Sequence, residues 1–206
     1  MGQYIRHIKM NEKKFLLDHI HALEETVRFF SPQNKRKREE WVCEQFLGNL
    51  KLGFSPSEIT WQSSDPPDVI FRNACFEIKE ILDAGRRRHD EYRDALCKAK
   101  EAKNLAALLK TFSPQDITPH DIGNLVLNEL KEMSKGNYDP SFKRKLDLLF
   151  YVSLPQRFFK NGHMPDTNLF SIWGWRSISV LEGKEALVFY AEADAPEFLL
   201  ANIRKP

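Results

Sequence analysis

Asp68-Val69-Ile70-Phe71-Arg72-Asn73-Ala74-Cys75-Phe76-Glu77-Ile78-Lys79 is the stretch on which the fold turns. Residues 68–71 and 75–79 are rich in β-branched and aromatic side chains, the types that suit a pleated, half-buried surface. Arg72-Asn73 lies between them, and Asn tolerates the left-handed backbone of a tight turn. A β-hairpin is expected, with Phe71 opposite Ala74 and Ile70 opposite Cys75. The same register sets Asp68 opposite Glu77, with Cβ atoms ~4.5–5.5 Å apart on one face. Lys79 shares that face, because strand side chains alternate with period two. A four-residue loop at 71–74 keeps this register, whereas a three-residue loop breaks it. Val69, Phe71, Phe76 and Ile78 take the other face and form an apolar side for a helix to cover.

Two neighbouring carboxylates repel each other on a sheet, and a bound divalent cation relieves the repulsion. Mg²⁺ suits such a site, since it keeps several waters and takes one or two carboxylates. Lys79 would then orient or deprotonate a metal-bound water. The competing reading is a hairpin whose charges are simply solvated on an outer face.

Outward from the hairpin, Leu16, Ile20, Leu23, Val27 and Phe30 predict an amphipathic helix over 12–30. A second helix is expected over 32–50, with Val42, Cys43, Phe46, Leu47 and Leu50 on its apolar face. Phe-Ser-Pro occurs at 30–32, 54–56 and 112–114. Ser caps helices and Pro suits the first helical position, so 30–32 reads as a helix start and 112–114 as a turn or short helix start. Residues 59–62 read as a strand and 63–67 as a loop. Helices are expected over 86–110 and 119–133, with a loop at 134–143. The apolar run 146–154 predicts a buried central strand. A loop at 155–169, strands at 176–181 and 185–191, and a short helix at 196–203 complete the chain. The order implies an α/β fold, a mixed sheet flanked by helices with an N-terminal helix. The domains expected are a helical extension, 1–30, and a sheet domain, 31–206.

Composition narrows the function classes. No apolar run in the 206 residues approaches 18, and the N-terminus lacks the apolar core of a signal peptide. Neither a membrane span nor a membrane partner is expected. Cys43, Cys75 and Cys97 lack metal-ligand spacing and read as buried free thiols, which suits a cytoplasmic protein. Net charge is only +2, but basic residues cluster at 35–38, 86–88 and 143–145. Each run is a solvated helix face by default, or a phosphate-binding patch if it lines a groove. There is no P-loop, dinucleotide fingerprint or GxSxG, and His163 stands alone in its loop.

Pro67-Asp68 followed by Glu77-Ile78-Lys79 resembles the PD-(D/E)XK nuclease signature, and the element order fits it. Within that superfamily the chain resembles a bacterial family of uncharacterised proteins read as endonucleases. The shared stretches are Glu39-Glu40-Trp41-Val42-Cys43, Pro66-Pro67-Asp68-Val69, Phe76-Glu77-Ile78-Lys79-Glu80, Gly85-Arg86-Arg87-Arg88 and Gly174-Trp175-Arg176-Ser177. The resemblance implies a restriction-endonuclease-like fold and an endonuclease using Mg²⁺ or Mn²⁺. Asp68 and Glu77 would be its metal ligands and Lys79 would activate water. The substrate implied is nucleic acid, DNA before RNA. Members often add a Glu from the first core helix, for which Glu39, Glu40 and Glu44 are candidates. Glu39 projects near the middle of the Val42/Phe46/Leu50 face and is preferred. Arg86, Arg87 and Arg88 open a helix just past the hairpin, placed to meet phosphates. Two other readings stay open. One is a catalytically inactive nuclease fold that holds nucleic acid through its basic runs. The other is a partner-binding protein whose 12–30 stripe forms a homodimer.

Overall fold

The computed structural model describes residues 2–64, 66–109, 111–136 and 138–203, with side chains from residue 12 onward. Asp65, in the expected 63–67 loop, lies outside the described residues. The chain divides into two compact units, 1–38 with 84–113, and 39–83 with 114–206. The N-terminal helix thus shares its unit with a segment expected, from sequence, in the sheet domain.

In the first unit α1 (Gly2–Phe29) packs against α3 (Arg88–Glu101). An amphipathic helix gains most of its stability from packing its apolar stripe, and α3 supplies the partner. Leu23 and Ala99 are buried, and Phe30 stacks on Tyr92 at 5.3 Å. Lys100 pairs with Glu24 at 2.7 Å, and the Leu105 amide donates to the Glu12 carboxylate at 2.9 Å. The helix expected over 86–110 ends at Glu101, and a 3-10 turn at Leu105–Leu108 follows, capped by Asn104.

The second unit holds a six-stranded mixed sheet. Its strands are β1 (Ile59–Trp61), β2 (Val69–Phe71), β3 (Ala74–Ile81), β5 (Asp147–Val152), β7 (Ser177–Glu182) and β8 (Glu185–Ala191), side by side in that order. β3, β5 and β7 run parallel, and the outer pairings are antiparallel. Helix α2 (Lys35–Asn49) and the short α7 (Glu197–Leu200) cover one face, through Val42, Cys43, Phe46, Leu47 and Leu199. Helix α4 (Pro119–Met133) and the short α6 (Asn168–Ser171) cover the other, through Ile122, Val126, Leu130 and Phe170. This is the expected mixed sheet between helices. Among the described residues no helix is long and apolar enough to cross a membrane.

Four local expectations fail. Phe112-Ser113-Pro114 leads into a strand, β4 (Gln115–Ile117), which pairs with β6 (Arg157–Phe159) inside the stretch expected as a 155–169 loop. Three-residue strands with exposed residues carry no alternation to detect. A short helix, α5 (Pro140–Lys143), interrupts the 134–143 loop. Of the cysteines only Cys43 is fully buried, its thiol pKa pushed up chiefly by that burial; Cys75 is half-buried and Cys97 exposed.

Candidate active site

The hairpin forms in the expected register, with Phe71 opposite Ala74, Ile70 opposite Cys75 and Val69 opposite Phe76. Its turn differs in one detail. Arg72 rather than Asn73 takes the positive φ, 52°. Arg72 is held there by Glu58 (2.8 Å) and by the Gly53 carbonyl (2.9 Å).

β3 alternates as its pattern requires. Phe76 and Ile78 face the α2 side, while Cys75 and Ile81 face the α4 side, so Glu77 and Lys79 share the α4 side. The ladder stops one residue short of Asp68, and the expected Asp68–Glu77 pair does not form. The Asp68 N–H donates to the Phe76 carbonyl at 3.0 Å. Its carboxylate accepts from the Ile78 N–H at 2.9 Å, which places it on the backbone between Glu77 and Lys79. A side chain here takes over the ladder bond that β2 no longer supplies.

The two carboxylates are not solvated charges. Asp68 is 3% exposed and Glu77 0%. Glu77 Oε1 accepts from the Lys79 ammonium at 2.6 Å and from the Tyr138 hydroxyl at 2.7 Å. Glu77 Oε2 is buried and, among the described residues, has no hydrogen-bond partner. A buried acceptor left bare costs about 1–3 kcal/mol, more for a charged group, and a cation or a further donor would satisfy this atom. Burial works to lower the Lys79 pKa, but its bonds to Glu77 and Tyr138 outweigh that and raise it. Burial likewise holds the Tyr138 phenol above its ordinary value, so it stays a donor. Tyr138 rests edge-on against Trp175, with ring centroids 5.2 Å apart.

The other expected residues make contacts of their own. Glu39 is buried, and its carboxylate accepts from the Trp61 indole N–H at 2.8 Å, on the α2 side. Among the described residues no three His, Cys, Asp or Glu side chains converge as a metal site. Arg86 pairs with Glu91 at 2.6 Å, and the Arg88 guanidinium lies over the Phe30 ring at 4.3 Å. Arg87 is exposed.

Two residues carry no signal in the sequence. Tyr138 sits in a loop 61 residues from Glu77, and no local pattern marks it. Asp147, hidden in the apolar run, is fully buried. It accepts from the Cys75 amide (2.9 Å), Ser177 Oγ (2.8 Å) and the Arg176 guanidinium, tying together the starts of β3, β5 and β7.

A search of curated proteins returns no match. Among solved structures, the chain is similar to a protein of unknown function from Pseudomonas aeruginosa strain PAO1, described as of the monooxygenase superfamily. Identity is 26%, the alignment covers 95% of this chain and 94% of that one, and the TM-score is 0.64. A family model matches residues 11–206, and the chain therefore belongs to the family described as "Putative endonuclease, protein of unknown function (DUF1780)".

Proposed function

We propose that this protein is a divalent-metal-dependent endonuclease of the PD-(D/E)XK type, hydrolysing phosphodiester bonds of nucleic acid, DNA in preference to RNA. The observation that carries the reading is Glu77, a fully buried carboxylate with one oxygen bare, two residues before a charged lysine on the same face. Glu77 and Asp68 would hold Mg²⁺ or Mn²⁺. Such an ion supplies Lewis acidity and a hydroxide-like nucleophile at neutral pH. The family description supports the same reaction class. Lys79 enters as a donor, because its ammonium lies 2.6 Å from Glu77 on the same strand face. It would orient water or a phosphate oxygen and offset negative charge.

Charge distribution supports a polyanionic substrate. Residues 1–38 and 84–113 carry 17 Lys and Arg against 8 Asp and Glu; the sheet unit carries 14 against 21. The near-neutral total conceals a strongly basic helical unit, which would grip phosphates, and an acidic unit that bears the carboxylates. Cleavage of labelled single- and double-stranded DNA and RNA with Mg²⁺ or Mn²⁺ tests the reading. Wild type should cut, and Asp68→Ala and Glu77→Ala should not. A wild type that cuts nothing, or a Glu77→Ala that cuts equally well, overturns it.

A further inference from the structure

The two oxygens of Glu77 are chemically unlike. Oε1 receives two donors, Tyr138 Oη at 2.7 Å and Lys79 Nζ at 2.6 Å, which uses the capacity of one carboxylate oxygen. Oε2 is equally buried and bare. The Tyr138 ring is set against Trp175, itself 1% exposed, so the hydroxyl is positioned by packing from outside the hairpin.

This asymmetry bears on which cation the carboxylate prefers. Ca²⁺ takes roughly 6–8 oxygen ligands at loose distances and readily uses both oxygens of one carboxylate. Mg²⁺ demands a compact octahedron, keeps waters and takes carboxylates through one oxygen. Two-oxygen binding by Glu77 would require Oε1 to release at least one of its two donors.

We propose that Tyr138 is a selectivity-determining residue: by occupying Oε1 beside Lys79 it confines Glu77 to one-oxygen coordination through Oε2, favouring Mg²⁺ or Mn²⁺ over Ca²⁺. The inference rests on the metal-dependent reading above. Lys79 also occupies Oε1, but its charge weakens all cations alike, whereas Tyr138 is neutral and bears on denticity. Overall affinity reports the charge, and the Ca²⁺:Mg²⁺ ratio reports denticity.

The test is direct cation binding to the full chain without nucleic acid, by electron paramagnetic resonance of Mn²⁺ and its displacement by Mg²⁺ or Ca²⁺. Tyr138→Phe keeps the ring against Trp175 and removes only the donor. It should shift the Ca²⁺:Mg²⁺ affinity ratio toward Ca²⁺ by about tenfold, the scale of one hydrogen bond to a charged group. Lys79→Met also frees Oε1 and should move the ratio the same way, but with a general tightening of both cations that Tyr138→Phe lacks. An unchanged ratio in a Tyr138→Phe protein that binds both cations overturns this proposal and leaves the nuclease reading standing. A wild type that binds none of the three cations overturns both.

Discussion

Lys79 Nζ lies 2.6 Å from Glu77 Oε1, a charged donor against a fully buried carboxylate. Breaking such a pair by removing one partner leaves a buried charge uncompensated. Lys79→Met should therefore destabilise the fold by about 3 kcal/mol, the low end of the usual range because the lysine is partly exposed. Glu77→Gln/Lys79→Met should recover most of that loss in urea unfolding. The pH dependence follows from the raised lysine pKa. The pair's contribution is fully present below the ordinary 10.5 and is lost as pH rises through the higher folded value. The wild-type advantage over Lys79→Met should be flat across neutral pH and shrink only in strong alkali.

Catalysis should respond separately. Lys79→Ala should slow single-turnover cleavage by about 10²–10³-fold, as for the loss of one charge-stabilising donor. Lys79→Arg, which keeps the charge, should retain more activity than Lys79→Ala. Equal rates for wild type and Lys79→Ala would remove Lys79 from the chemistry.

Asp147 gathers the Cys75 amide, Ser177 and Arg176 in a buried position. Asp147→Ala strands those donors and should cost about 3–5 kcal/mol. Adding Arg176→Ala should cost less than the sum of the two single changes, because the residues share one network. Strict additivity of the denaturation midpoints would show that the pair is not coupled.

Glu182 opposes Glu185 across the β7–β8 turn. Burial first, and Glu185 second, raise its pKa above the ordinary 4.5. A carboxyl raised in the fold contributes stability below its unfolded pKa and loses it as pH climbs through the folded value. Glu182→Gln should therefore melt higher than wild type at neutral pH, and the difference should close toward pH 4. A constant difference across that interval would contradict the assignment.

Nucleic-acid affinity should depend on the helical unit. Changing the exposed Lys13, Lys14, Arg87 and Lys98 to Gln should weaken binding to every sequence alike. The slope of log affinity against log salt should fall by about 0.9 for each duplex-DNA phosphate that the protein no longer neutralises. Matched changes at the exposed Lys131 and Lys135 of the acidic unit should matter less. The reverse ranking would place the grip on the sheet unit.

Local patterning by itself determined the hairpin. The period-two alternation from Val69 to Ile78, with a two-residue turn, sets which residues oppose each other and puts Glu77 and Lys79 on one face. The helical stripe of α1 and the apolar run of β5 were legible for the same reason: each repeats over enough residues to be counted. Tertiary structure alone decided the rest. Asp68 leaves the ladder because β2 ends there, and Glu39 is taken by Trp61. Arg86 and Arg88 are engaged within their own unit. Tyr138 reaches Glu77 across 61 residues, and the joining of 84–113 to the N-terminal helix follows no local signal. Contacts between distant segments depend on how whole faces pack, and residue spacing carries no information about them.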